Sequence, residues 1–188
     1  MLIALARPYS AQRLRPRTIA VCLVIALGLA VSTVFARQAA AKKSSRVGQT
    51  WTGRVVVVAD GDTLEVMRDG RAVRVRLAGI DAPETGQAWS RRARSRLAEL
   101  VFHRDVSVSV RDVDRYGRDV VDVTLGDGRR LNDVLVAEGL AWFYRAYSDD
   151  RELERLETQA RSAQLGVWSD RSPTPPWIWR QRHPRKAR

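Results

Sequence analysis

Cysteine is almost absent from the 188 residues: Cys22 is the only one, and it lies inside an apolar N-terminal run. Without it the rest of the chain can form neither a disulfide nor a thiolate zinc site. Histidine is nearly as scarce, with only His103 and His183, which rules out a histidine-based metal cluster. Any bound metal must be held by oxygen. Acidic residues are missing from the first 59 positions, and Asp60 is the first. Proline (7) and glycine (12) are too few to signal wholesale disorder, and 45% hydrophobic residues are enough for a core.

Basic residues are abundant. Lysine and arginine number 33 against 21 acids, a net charge of +12, which favours a polyanionic partner, nucleic acid or an anionic membrane surface. Arg7, Arg13, Arg15 and Arg17 lie in the N-terminal segment, yet the remainder keeps a basic excess. Residues 19–35 are an almost unbroken apolar run after an arginine-rich stretch, ending Val34-Phe35-Ala36. This pattern predicts a signal peptide or an uncleaved N-terminal membrane anchor over 1–36. The chain is therefore expected to be exported, secreted or periplasmic, with residues 19–35 as its membrane tether if the leader is retained. Residues 37–50 read as a basic linker, 51–170 as the working domain, and 171–188 as an exposed basic tail rich in proline and tryptophan.

From Trp51 onward the pattern is one of short strands. Val55–Ala59 is an apolar run stopped by Asp60-Gly61, and Thr63–Met67 alternates up to the hairpin signal Arg68-Asp69-Gly70. Val73, Val75 and Leu77 alternate with Arg74 and Arg76, giving an apolar and a cationic face. Ala88–Val101 is expected to be helical, with Ala93, Leu97, Leu100 and Val101 inward and Arg91, Arg92, Arg94 and Arg96 crowding its first half. Two more alternating runs follow, through Val106–Val110 and Val121–Leu125. A short helix over Leu131–Glu138 comes next, then a last helix capped by Asp149 or Asp150 with Leu153, Leu156, Ala160 and Ala163 as its stripe. The expected fold is α+β, mainly β: a five-stranded Greek-key barrel of the OB type with about three helices, an architecture that commonly binds nucleic acid. A monomer is expected.

Three short stretches carry the chemistry: Asp60-Gly-Asp-Thr63, Arg76-Leu-Ala-Gly-Ile-Asp-Ala-Pro-Glu84 and Asp114-Arg-Tyr-Gly-Arg118. Carboxylates suggest a hard cation and arginines a phosphate, so together on a basic chain they point to metal-assisted phosphodiester cleavage. The hairpin can set Asp62 beside Asp81, and the carbonyl of Ala82, fixed by Pro83, could add a third oxygen. Glu84 is placed to take a proton from an attacking water. Arg76 and Arg118 present planar donor forks that cannot deprotonate. Read singly, each has an ordinary explanation: Asp62 as a turn residue, Asp81 as a cap, Glu84 as a helix N-terminal acid, the arginines as solvated strand faces.

Taken in order with Leu131-Asn132 and Gly139-Leu-Ala141, these stretches resemble the staphylococcal nuclease family over Trp51–Trp168. The resemblance implies a calcium-dependent phosphodiesterase acting on DNA and RNA with little sequence specificity. It puts Ca2+ at Asp62, Asp81 and the Ala82 carbonyl, the general base at Glu84, and phosphoryl binding at Arg76 and Arg118. Ala82 replaces a threonine that contributes only its backbone, and the loop after Glu84 is shorter than in the family. Tyr116, Tyr144 and Tyr147 are candidate nucleic-acid contacts by base stacking, with rim or core packing as the plain alternative for Tyr144 and Tyr147. Arg145 stands where the family has another tyrosine. A non-catalytic OB-type nucleic-acid-binding module is the rival reading, and intact acidic and arginine positions argue against it.

Overall fold

The computed structural model describes Lys43 and residues 45–184; the expected leader, residues 1–36, lies outside them. Three antiparallel strands open the domain: β1 (Thr50–Val58), β2 (Thr63–Arg68) and β3 (Arg71–Leu77). Asp69 and Gly70 turn the β2–β3 hairpin with φ of 48° and 75°. This positive pair matches the right-handed twist of the strands it joins. Beyond β3 come the two-residue strand β4 (Ile80–Asp81), helix α1 (Ser90–Val101), β5 (Asp105–Val113) and β6 (Asp119–Thr124). The chain then forms α2 (Leu131–Ala137), β7 (Trp142–Phe143), α3 (Arg151–Ser162), a 3-10 turn at Gly166–Ser169 and α4 (Pro176–Arg182).

Five of these strands form a closed barrel in the order β1-β2-β3-β6-β5. β5 pairs antiparallel with both β1 and β6, while β3 and β6 run parallel, Arg76 opposite Val120. The expected five-stranded barrel of the OB type is thus the architecture found. Alternation fills its interior: Val55, Leu64, Val66, Val75, Leu77, Val108, Val121 and Val123 are all buried. Sealing a leucine such as Leu64 or Leu77 from water contributes roughly 1.5–3 kcal/mol.

Helix α1 buries Ala93, Leu97, Leu100 and Val101, as its periodicity predicts. Its arginines divide into two groups. Arg91 and Arg92 are exposed, but Arg94 donates to the Val58 carbonyl at 3.1 Å and Arg96 forks onto Glu138 with two bonds of 2.8 Å. Asp150, not Asp149, caps α3, accepting from the amides of Glu152 and Leu153. The inward face of that helix holds Leu153, Glu157 and Ala160, whereas Ala163 is exposed. Glu157 is tolerated there because it accepts from the Phe143 amide at 3.1 Å and pairs with Arg145 at 2.8 Å. Arg145 is therefore committed to a buried carboxylate.

The C-terminal segment differs from the exposed tail expected of it. α4 packs on the domain with Pro176 buried, and Trp177 joins the cluster of Trp142, Ala160, Val167 and Trp168. Two tryptophans within five residues of a proline-started turn supply enough apolar surface to dock even a seven-residue helix.

Candidate active site

Asp62 is set in place by its own turn. The Asp60 carboxylate accepts from the Asp62 amide at 3.2 Å, and the Ala59 amide donates to the Thr63 carbonyl at 2.9 Å. The turn must come close to the segment after β4: a Cβ on Gly61 would sit 2.7 Å from Ala82 Cβ and 3.1 Å from Ala93 Cβ. Only glycine permits that approach. Asp62 Oδ1 accepts from the Thr63 hydroxyl at 3.0 Å and Oδ2 from the Ala82 amide at 3.3 Å.

The β2–β3 ladder sets Thr63 opposite Arg76, so Asp62 and Arg76 meet at the strand ends. A single Arg76 nitrogen, Nη2, lies 2.9 Å from Asp62 Oδ2 and 2.7 Å from Asp81 Oδ1. Asp81 is held by β4, which pairs with β7 (Asp81 opposite Trp142), and it is fully buried. The two aspartates named from the sequence therefore converge.

Burial pushes the Asp62 carboxyl up to about 7, with Asp60 and Asp81 adding to the rise and Arg76 opposing it. Burial works against the Arg76 charge as well, but the two aspartates outweigh it and raise its pKa.

Glu84 is half-buried three residues on, its amide donating to Gln87 Oε1 at 3.0 Å. It is joined to Asp81 by a residue that the sequence reading missed. Arg180, from α4, donates through Nη1 to Glu84 Oε1 at 2.7 Å and to Asp81 Oδ1 at 3.1 Å, and through Nη2 to Asp81 Oδ2 at 2.8 Å. No local pattern distinguishes Arg180 from its basic neighbours; only the docking of α4 does.

Arg118 stands immediately before β6, two residues ahead of Val120, the register partner of Arg76, and its side chain is held by Asp114 and Tyr116 rather than by the aspartates. Asp114 builds the turn that delivers it. The Asp114 carboxylate accepts from the amides of Tyr116 and Arg118 and from Arg118 Nε at 2.7 Å. Despite partial burial, these bonds hold the Asp114 carboxyl below the usual range. Asp114 is thus a positioning residue within a motif the sequence displayed.

Ala82 meets the site through its amide, bound to Asp62. Tyr116 is 70% exposed, with Arg115 and Arg118 over its ring at 4.9 and 5.6 Å. Tyr144 follows β7 directly and donates its amide to the Gly79 carbonyl at 2.8 Å, next to β4. Its ring stacks on Trp177 (5.2 Å, 3° between planes) and tilts against exposed Tyr147 at 4.8 Å. Asn132, buried, bridges the backbone of β6 and the β3–β4 link: it donates to the Ala78 carbonyl at 2.9 Å and accepts from the Val123 amide at 3.3 Å.

The paired aspartates and the half-buried Arg76 stand beside a closed five-stranded barrel, and likeness to known nucleases makes the chain a barrel hydrolase of the nuclease class. A family model described as staphylococcal nuclease homologue matches residues 74–170, and the chain belongs to that family. The match includes Arg76, Asp81, Glu84 and Arg118, and excludes Asp62 and Arg180. Among its relatives, an uncharacterized endonuclease of Escherichia coli O157:H7 is 46% identical over 130 residues, 69% of this chain and 85% of that protein. A micrococcal nuclease of Shigella flexneri is 43% identical over 139 residues, covering 69% and 80%. A staphylococcal-like nuclease of Arabidopsis thaliana is 38% identical over 108 residues, covering 57% and 33%.

Proposed function

We propose that this chain is an exported, calcium-dependent nuclease that hydrolyses phosphodiester bonds of DNA or RNA with little sequence preference. The observation that carries this reading is the convergence of Asp62 and Asp81 on one Arg76 nitrogen, with Glu84 tied to Asp81 through Arg180. A hard cation fits the donors. They are all oxygens, and Thr63 and the Ala82 amide hold Asp62 in place. Among the described residues no group of three or more His, Cys, Asp or Glu could hold a metal by itself. Asp62 and Asp81 would therefore need backbone oxygen and water to complete a coordination shell.

When bound, Ca2+ would supply Lewis-acid polarisation of a phosphoryl oxygen. The chain's own residues do the rest. Glu84, beside but not saturating the aspartates, takes the proton of the attacking water. Arg76, at the end of β3, and Arg118, just ahead of β6, hold the phosphoryl oxygens as charge grows on them. Exposed Arg91 and Arg92, with Tyr116, Tyr144 and Tyr147 at the rim, meet the backbone and bases without reading sequence. Export rests on residues 1–36 alone, and retention of 19–35 would tether the enzyme to a membrane.

The test is cleavage of single-stranded DNA, duplex DNA and RNA by the purified protein, each in calcium and in chelator, alongside Glu84→Gln. Calcium-dependent turnover, lost in the variant while nucleic-acid affinity persists, is the expected result. Cleavage that survives chelation would refute the metal reading, and binding with no cleavage of any of the three substrates would leave a binding module.

A further inference from the structure

Both oxygens of Asp81 are taken up by guanidinium groups: Arg76 and Arg180 on Oδ1, and Arg180 again on Oδ2. Arg180 also holds Glu84. A bidentate, charge-assisted fork of this kind satisfies a carboxylate as a cation would. Arg180 comes from beyond the family match, on a helix docked by Trp177 and tied to the site loop, because Gln87 Nε2 donates to the Thr174 carbonyl at 2.5 Å. Gln87 Oε1 in turn accepts from the Glu84 amide. The same helix covers one face of Tyr144 with Trp177, stacked within 3° of parallel as a base would lie. One short element thus presents a cation to the carboxylates and an aromatic ring to the tyrosine.

We propose that α4 is an autoinhibitory strap, in which Arg180 competes with the metal for Asp81 and engages Glu84 Oε1 until it is displaced. This rests on the reading of Asp62 and Asp81 as the metal site. Arg180 and a divalent ion cannot both engage Asp81 Oδ2 and Oδ1 as Arg180 now does, so binding of one weakens the other by the same factor. The Arg180 side chain is 38% exposed, which lets it withdraw without unfolding the helix, whose anchors are Pro176 and Trp177. Its exposure also limits the strength of the competition.

The experiment is calorimetric titration of the full-length protein with calcium alone, without nucleic acid, for the wild type, Arg180→Gln, Arg180→Lys and Asp62→Asn. Arg180→Gln is expected to bind calcium roughly tenfold more tightly. Arg180→Lys, which keeps a cation, should fall between that variant and the wild type. Asp62→Asn should lose binding. Unchanged or weaker affinity in Arg180→Gln, with Asp62→Asn still inactive in binding, overturns the strap and leaves the metal site standing. Calcium binding by Asp62→Asn equal to the wild type, or none by any protein, overturns both.

Discussion

Replacing Asp62 by Asn should make the metal-free protein more stable, and the gain should depend on pH. The Asp62 carboxyl has a pKa near 3.8 when exposed and about 7 in the fold, chiefly because it is buried. Below 3.8 both folded and unfolded chains carry the proton. Between 3.8 and about 7 the unfolded chain has lost it while the folded one keeps it, so stability falls as pH rises through this window and is level above it. At about 1.4 kcal/mol per unit, the whole window is worth roughly 4 kcal/mol. Asn resembles the protonated carboxyl: its one oxygen can take the place of Oδ2 and accept from the Ala82 amide, while its NH2, in the place of Oδ1, donates to the Thr63 hydroxyl, which turns from donor to acceptor. A net gain of roughly 2–4 kcal/mol at pH 8 follows, shrinking to less than half at pH 5. Urea unfolding in chelator at both pH values measures the difference, and subtracting the wild-type curve removes the other titrating groups. Saturating calcium should reverse the ranking, since only the wild type gains from the ligand. A variant less stable than the wild type by equal amounts at pH 5 and pH 8 would refute this account of the carboxyl.

Two further substitutions probe the scaffold beneath the site. Gly61→Ala puts a methyl 2.7 Å from Ala82 Cβ, so the Asp62 turn must move outward. Nuclease activity should drop by roughly tenfold to a hundredfold for a loss of about 1–3 kcal/mol in stability, and a variant with full activity would show that the close approach is dispensable. Asn132→Ala strips partners from the Ala78 carbonyl and the Val123 amide and should cost about 2–4 kcal/mol in denaturant unfolding; a change within 0.5 kcal/mol, on the scale of surface substitutions, would deny it that bridging role.

Period-2 alternation through Val73–Leu77 and Val106–Val110, the Asp69-Gly70 turn and the α1 stripe were enough to read five strands, their faces and the barrel class. Those features are local, since side-chain direction follows from position along a strand or helix. Asp62, Arg76 and Asp81 were legible as a site for the same reason: a hairpin and a short return strand fix where strand ends meet. Glu157 defied the stripe on α3 because its burial depends on Phe143 and Arg145, brought there by another part of the chain. Asp114 and Asn132 were visible in motifs, yet their work on backbone amides and carbonyls shows only in the folded turn.

Composition and order by themselves limited any metal ligands to oxygen, and they determined a basic chain and a barrel with carboxylates near strand ends. Tertiary structure alone decided that the last basic segment returns to the site. Arg180 lies 99 positions from Asp81, and no periodicity links residues so far apart. Their meeting depends on Trp177 and Pro176 burying apolar surface against the domain, a long-range packing event that brings one arginine of many to the carboxylates.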